Sequence, residues 1–292
     1  MVLMIPWYIY AFASVILGTI FSIYRKKALL TEHAMNFESA RTLTIALLCL
    51  FLIPYINLNV NRNIIILVYL VSFLVTAGIL FTAKALRHKA ISLIFPLGNI
   101  KPAFVAVIAF FFLSEAIQPK QIIGIIILFI SAYLLESDYH ISDFIVPLKH
   151  VFKTKYSLYF IFAVFLFSIT AVFDRFVISN YMNIFTYFFL LWIFVAVNFN
   201  IVHVFEYGYR DTINCFKRIT YLPLLVAFLS TIKNLFVYKA LSLAYVSLVV
   251  PVLMLETLFV VLFGGRFFHE KYLFFRFGVS ALMLIGAYLI IL

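Results

Sequence analysis

Charged residues are scarce in this chain: only 11% of its 292 residues are Asp, Glu, Lys or Arg, whereas 66% are hydrophobic. Soluble domains are about 45–50% apolar, so this composition excludes a soluble globular protein. Cysteine is also nearly absent. The two that occur, Cys49 and Cys215, lie far apart in the sequence and indicate neither a disulfide framework nor a metal site. These shortages predict an integral membrane protein.

Motifs of enzymes and of nucleotide-driven pumps are missing as well. No phosphate-binding glycine motif occurs, so direct use of ATP is not expected. The 6 histidines are scattered, without metal-ligand spacing or a nucleophile motif. The net charge of +11 is spread through short connections, which argues against a nucleic-acid partner. The sequence therefore predicts a protein that is not an enzyme and that uses no cofactor.

Long apolar runs are what the chain has instead. A membrane-spanning helix needs about 20 mainly apolar residues, whereas barrel strands alternate over about ten. The runs predict an all-α membrane protein with ten spans: Ile5–Tyr24, Glu38–Ile56, Ile64–Ala83, Ile91–Ser114, Gln121–Glu136, Tyr156–Ser179, Asn183–Phe205, Thr220–Tyr238, Leu243–Gly264 and Tyr272–Leu292. We expect a multi-pass protein of the cell (inner) membrane.

The stretch from Lys84 to Leu135 returns as a second copy from Lys239 to Leu289. One shift of 155 positions superimposes Lys84-Ala85-Leu86 on Lys239-Ala240-Leu241, Ser92 on Ser247, Pro96 on Pro251, Glu115 on Glu270, and Ala132-Tyr133 on Ala287-Tyr288. Each half has five predicted spans, and an odd number makes the second copy cross the membrane in the opposite sense. The sequence therefore predicts two inverted five-helix repeats, residues 1–136 and 156–292, joined by a linker at 137–155.

Within the repeat, the shift places Lys101 on Glu256, so the copies carry opposite charges inside apolar segments. A lone charge at the bilayer centre costs about 2.5–3.5 kcal/mol on insertion scales, so each residue should face a cavity or a partner. We expect the pseudo-two-fold axis to pair them. The pair is either a substrate site or a buried ion pair that only fixes the packing of the halves. Bends at Pro96, Pro102 and Pro251 should widen a cavity at the same level.

Four further residues are candidates for the same site: Asn99, Lys233, Lys84 and Lys239. Asn99 could supply a hydrogen-bond donor near Lys101. Lys233 lies too deep in span 8 to snorkel easily. Lys84 and Lys239, at the ends of spans 3 and 8, could guard the two entrances for anions, or could only snorkel to the interface.

Two patterns in the first spans predict contacts between helices. Span 1 carries Ser14, Gly18 and Ser22 at four-residue spacing, a stripe of small residues that allows close helix approach. Glu38 and Arg41, one turn apart near the start of span 2, should form an ion pair at the membrane interface.

The repeated pattern of K-A-L, Ser, a mid-helix Pro, an apolar run ending in Glu and a final Ala-Tyr resembles the EamA-type repeat of the drug/metabolite transporter superfamily. The resemblance implies a ten-span secondary carrier in which spans 1, 3, 4, 6, 8 and 9 surround a central cavity. Transport would proceed by alternating access as the halves rock. A Lys in both copies, at 84 and 239, departs from the small or aromatic residue common before Ala-Leu.

The expected partners are the lipid bilayer and a small polar metabolite, anionic or zwitterionic, such as an amino acid or a phosphorylated or carboxylated metabolite. Coupling to protons or to an exchange substrate is open, as is the choice between monomer and homodimer. Alternative functions are a flippase for a lipid-linked phosphate or sugar and a non-transporting scaffold. The bias of basic residues favours both termini outside, whereas the resemblance implies cytoplasmic termini.

Overall fold

The computed structural model describes residues 5–89, 91–115, 118–136, 155–207 and 221–264, and eight isolated residues: Cys215, Arg218, Phe267, Leu282, Ile285, Gly286, Tyr288 and Leu289. These described residues form helices and their connections, with no strand among them. The predicted all-α class is confirmed for this part of the chain. Most of the predicted linker, Glu270 and most of the tenth predicted span lie outside the described residues.

The helices follow the predicted spans closely. They are α1 (Trp7–Thr31), α2 (Ala34–Cys49), α3 (Arg62–His88), α4 (Ile91–Ile94), α5 (Lys101–Leu113), α6 (Pro119–Glu136), α7 (Lys155–Asn180), α8 (Ile184–Tyr207), α9 (Leu222–Leu243), α10 (Val246–Leu253) and α11 (Leu255–Phe259). Short 3₁₀ segments at Leu50–Tyr55 and Phe95–Ile100 and a π segment at Val260–Gly264 complete them.

Among the described residues, 7 helical stretches are long and apolar enough to cross a membrane. They are Trp7–Thr31, Ala34–Tyr55, Arg62–His88, Lys155–Asn180, Ile184–Phe205, Leu222–Leu243 and Val246–Gly264. Two shorter apolar helices, Leu97–Leu113 and Pro119–Ser131, fall on the fourth and fifth predicted spans. The protein is thus an integral, multi-pass membrane protein, and the count of ten spans stays a prediction.

Two predicted spans are interrupted at their prolines. Pro96 lies in the 3₁₀ segment between α4 and α5, and Pro102 is the second residue of α5. Pro251 lies inside α10, which ends two residues later at Leu253. Because proline lacks an N–H and clashes with the carbonyl four residues earlier, it interrupts regular helix. Lys101 and Glu256 therefore both stand beside breaks in their spans.

The two halves interlock rather than pack side by side. The most extensive packing joins α1 to α9 and α3 to α7, two pairs that are equivalent under the predicted repeat. The helices α2 and α8 also pack on each other, as do α5 and α10. Any cavity at the centre of this arrangement must take its walls from both halves.

In each half, a hydrogen bond from a basic side chain joins the first helix to the third. Nζ of Lys26 donates to the carbonyl oxygen of Leu86, and Nη1 of Arg175 donates to that of Leu241 at 2.5 Å. Leu86 and Leu241 are the leucines of the two K-A-L motifs, superimposed by the 155-residue shift. A basic side chain on a first helix thus satisfies a carbonyl near the end of a third helix, where helical carbonyls lack partners.

Candidate substrate-binding cavity

A cavity of about 260 Å³ lies where the two halves meet. Its walls come from α1, α2, α3 and α5 of the first half and from α7 to α11 of the second. Sites for drug-sized ligands measure about 300–1,000 Å³, so this volume suits a smaller metabolite. The cavity is therefore lined by residues from both the N-terminal and the C-terminal parts of the chain.

Charged side chains are concentrated around this cavity. Its lining contains four basic and two acidic residues: Arg25, Arg41, Lys101, Lys233, Asp174 and Glu256. Such groups inside spanning segments are costly and face cavities or partners. The predicted candidates Lys101, Lys233 and Glu256 are all brought together here.

Glu256 is held between α1 and α9. Its Oε2 lies 2.8 Å from Nζ of Lys233, and its Oε1 accepts a hydrogen bond of 2.8 Å from the hydroxyl of Ser22. Gly18 makes room for it, because a Cβ at that position would lie 2.6 Å from Cδ of Glu256. Within the predicted stripe of small residues, Gly18 is thus a point of close approach to α1, and the group that approaches it is the carboxylate of Glu256.

The predicted pairing of Lys101 with Glu256 is wrong. Glu256 takes Lys233 as its partner, because α9 packs against α1 and brings Lys233 to the carboxylate beside Ser22. Nζ of Lys101 instead lies 6.0 Å from the ring centroid of Phe167, a cation–π distance. Lys101 forms no ion pair with any other described residue.

A second ion cluster, formed by Arg25, Glu38 and Arg41, lies where α1 and α2 line the cavity. Glu38 contacts two arginines: Arg25 at 2.7 Å and Arg41 at 2.5 Å. Nη1 of Arg41 also donates to the hydroxyl of Ser230 on α9 at 3.2 Å. The predicted pair of Glu38 and Arg41 is confirmed. Both side chains are buried, and Arg41 lines the cavity.

One aromatic ring lies beside three of the cations. Nζ of Lys233 is 5.2 Å from the ring centroid of Phe21, and Cζ of Arg25 and of Arg41 are 5.8 and 5.9 Å from it. The negative face of an aromatic ring attracts cations at such distances. Sequence reasoning missed Phe21, since nothing marks it among 36 phenylalanines.

The second acidic group of the lining, Asp174, has a neutral partner. The phenolic hydroxyl of Tyr187 donates to Oδ1 of Asp174. The ring of Tyr187 packs edge-on against Tyr238, which also lines the cavity, with centroids 5.2 Å apart. Asp174 was not among the predicted site residues. Its carboxylate and that of Glu256 give the basic cavity two acidic positions on different helices.

Three predicted candidates do not line the cavity: Asn99, Lys84 and Lys239. Asn99 is buried beside it, where its Oδ1 accepts a 3.2 Å hydrogen bond from Thr257. Lys84 and Lys239 are half-buried near the ends of α3 and α9. The described residues hold no group of His, Cys, Asp and Glu that could bind a metal ion.

Comparison with known proteins agrees with this architecture. The chain is similar to a crystal structure described only as that of a protein, with a TM-score of 0.62 and 13% sequence identity over 97% of this chain and 95% of that chain. At such low identity the likeness shows the fold alone. No curated protein matches the sequence. Residues 5–137 match the model of the EamA-like transporter family, which confirms the predicted resemblance and indicates a membrane transporter of the drug/metabolite type.

Proposed function

We propose that the protein is a secondary transporter that moves a small anionic or zwitterionic metabolite across the membrane. The observation that carries the proposal is the cavity between the halves, lined by four basic and two acidic side chains within a bundle of membrane-spanning helices. Ionisable groups at such positions mark substrate pathways. The excess of basic groups favours a substrate with a carboxylate or phosphate, and the acidic groups provide partners for an ammonium.

Alternating access is the mechanism that this cavity favours. Contacts from one half to the other surround it, among them Ser22 with Glu256 and Arg41 with Ser230. Rocking of residues 1–136 against 156–292, as two inverted five-helix repeats, would break such contacts on one side and form others on the opposite side. Because these two contacts are polar, polar groups of a bound substrate can replace them.

The charge balance supports an anionic group in the substrate. Glu38 neutralises one of the two arginines that it contacts, and Glu256 neutralises Lys233. Asp174 adds a third carboxylate to the site, so the four cations exceed the carboxylates of Glu38, Glu256 and Asp174 by one. Lys101 has no carboxylate at ion-pair distance among the described residues. A substrate oxyanion bound among these cations would supply the missing charge, with a gradient of the substrate, an exchange partner or protons as the driving force.

The experiment is flux into proteoliposomes that contain the purified protein. Amino acids, phosphorylated and carboxylated metabolites and amines are first ranked by the thermal stabilisation that they give. Those that stabilise are then measured as radiolabelled substrates in uptake and in exchange. We expect saturable flux that Lys101→Met reduces and that Lys27→Met, which removes an exposed lysine of α1, leaves intact. Folded protein that transports no member of the panel would contradict the proposal.

A further inference from the structure

We propose that the substrate is a zwitterion that inserts into the Lys233–Glu256 ion pair, its oxyanion binding Lys233 and its ammonium binding Glu256. This inference rests on the proposed transport function and names the substrate class. It makes Glu256 the residue that selects zwitterions against simple anions. In the structure the two groups form a direct ion pair, with 2.8 Å between Nζ and Oε2.

The Lys233 side of the pair is rich in hydrogen-bond donors. Asn234, the next residue, directs Nδ2 to within 3.4 Å of the Ser230 hydroxyl, and Arg41 reaches the same hydroxyl from α2 at 3.2 Å. All four residues line the cavity. The hydrogen bonds of Arg41 to Glu38 and Ser230 use two of the five N–H donors of a guanidinium. Two cations with an amide and a hydroxyl are the chemistry of oxyanion recognition.

The Glu256 side of the pair is open to exchange. The carboxylate side chain is 14% exposed and that of Lys233 is 19% exposed, so the pair faces the cavity rather than being sealed in the core. Glu256 also accepts a hydrogen bond from the hydroxyl of Ser22. That hydrogen bond, together with the space at Gly18, keeps the carboxylate in place when Lys233 takes another anion.

A bound zwitterion and a bound simple ion leave Lys233 and Glu256 with different partners. A simple anion that binds Lys233 takes from Glu256 its ion-pair partner and leaves the hydrogen bond from Ser22, and a buried charge that loses its partner is strongly unfavourable. A simple ammonium that binds Glu256 leaves Lys233 in the same condition. A zwitterion replaces one ion pair by two, so neither group loses its counter-charge. Selection therefore follows from the pair itself.

The test uses three probes with one carbon skeleton: propionate, propylammonium and β-alanine, which carries both groups. Apparent dissociation constants come from thermal unfolding of the purified protein at increasing probe concentration, with sodium chloride at matched ionic strength as reference. Phosphoethanolamine and ethyl phosphate repeat the comparison with a phosphate in place of the carboxylate, which separates the two sources of the oxyanion. We expect the parent to bind the zwitterion at least about tenfold more tightly than either simple ion.

Glu256→Gln should invert this preference. It removes the carboxylate that a simple anion would strand, so propionate should bind about tenfold more tightly than to the parent and β-alanine about tenfold more weakly. Lys233→Met should bind neither propionate nor β-alanine. If Lys233→Met fails to fold, the double variant Lys233→Met, Glu256→Gln removes both charges of the pair. It should fold and should not prefer the zwitterion. Lys27→Met should behave as the parent does.

Several outcomes would overturn the inference. They are failure of every zwitterion to stabilise the parent, equal binding of propionate and β-alanine, and loss of propionate binding in Glu256→Gln. Loss of probe binding in Lys101→Met but not in Lys233→Met would also overturn it. The proposed function is judged separately by flux: transport of a metabolite that is not a zwitterion would refute the inference and keep the transporter, whereas no flux across the panel would refute the transporter.

Discussion

The carboxylate of Glu115, at the end of the interrupted fourth span, accepts a 2.6 Å hydrogen bond from the hydroxyl of Ser247 in the opposite half. It also accepts the backbone N–H groups of Val246 and Ser247 at 3.0 and 3.1 Å. These are the first residues of α10, where helical N–H groups lack intrahelical acceptors and the helix dipole favours negative charge. Ser114, with φ of 53°, turns the chain just before Glu115.

This buried cap should be a large contribution to folding. Removing a cap costs about 0.5–2 kcal/mol, and Glu115 is charged and 4% exposed. We expect Glu115→Ala to lower the free energy of unfolding by about 2 kcal/mol or more, and Glu115→Gln, which keeps one acceptor oxygen, by less. Thermal unfolding in detergent measures both. The prediction fails if Glu115→Ala unfolds at the same temperature as Lys27→Met.

Gly18 should be required for transport rather than for folding. A Cβ at Gly18 would lie 2.6 Å from Cδ of Glu256, and the end of that side chain is flexible enough to move aside. Gly18→Ala should therefore displace the carboxylate from Lys233 and reduce flux about tenfold or more, with a smaller loss of stability than Lys233→Met, because both charges of the pair remain. Gly98→Ala is the matched control, because its Cβ would lie 3.6 Å from Phe160. Equal flux in the two variants would show that the position of Glu256 does not matter.

Replacement of Lys101 and of Lys233 by Met should change the free energy of unfolding in opposite directions. Lys101 has an aromatic ring but no carboxylate at ion-pair distance among the described residues, so Lys101→Met removes a charge of the cavity that lacks an ion-pair partner. It should raise the free energy of unfolding by about 1 kcal/mol while reducing flux. Lys233→Met leaves Glu256 unpaired and should lower that free energy by about 3 kcal/mol or more. Unfolding midpoints of the two variants in one detergent decide this, and a shift in the same direction would contradict it.

The sequence predicts the membrane class and much of the helix arrangement because both follow from one-dimensional patterns. Apolar length locates the spans, and the recurring Ser and Glu positions mark a duplication. The sequence does not predict that this Glu caps a helix through this Ser, because Glu115 and Ser247 lie in different halves and meet only through tertiary packing.

The site was only partly predictable for the same reason. Lys101, Lys233 and Glu256 are charges within apolar segments and so could be singled out. Which of the two lysines pairs with Glu256 depends on the approach of α9 to α1, and equivalence under the repeat predicted the wrong one. Phe21 carries no signal of its own, whereas Asp174 is a charge near the end of predicted span 6 that the sequence leaves open between an anchor and a gate. They become part of the site because α1 and α7 face the same cavity.

In the ion cluster of Arg25, Glu38 and Arg41, the free energy of unfolding should depend most strongly on Glu38, the single carboxylate. Glu38 is fully buried and lies within 2.7 Å of both Arg25 and Arg41, so Glu38→Gln leaves two buried guanidinium groups without a counter-charge. We expect a loss of about 3–5 kcal/mol in the free energy of unfolding. Removing one guanidinium as well, in Glu38→Gln, Arg25→Met, should recover part of this loss, because the repulsion between the two cations disappears. Chemical unfolding of the parent, the single variant and the double variant measures the recovery, and a double variant that is less stable than Glu38→Gln would show that Arg25 contributes through packing and its bond to the Ile79 carbonyl rather than through charge.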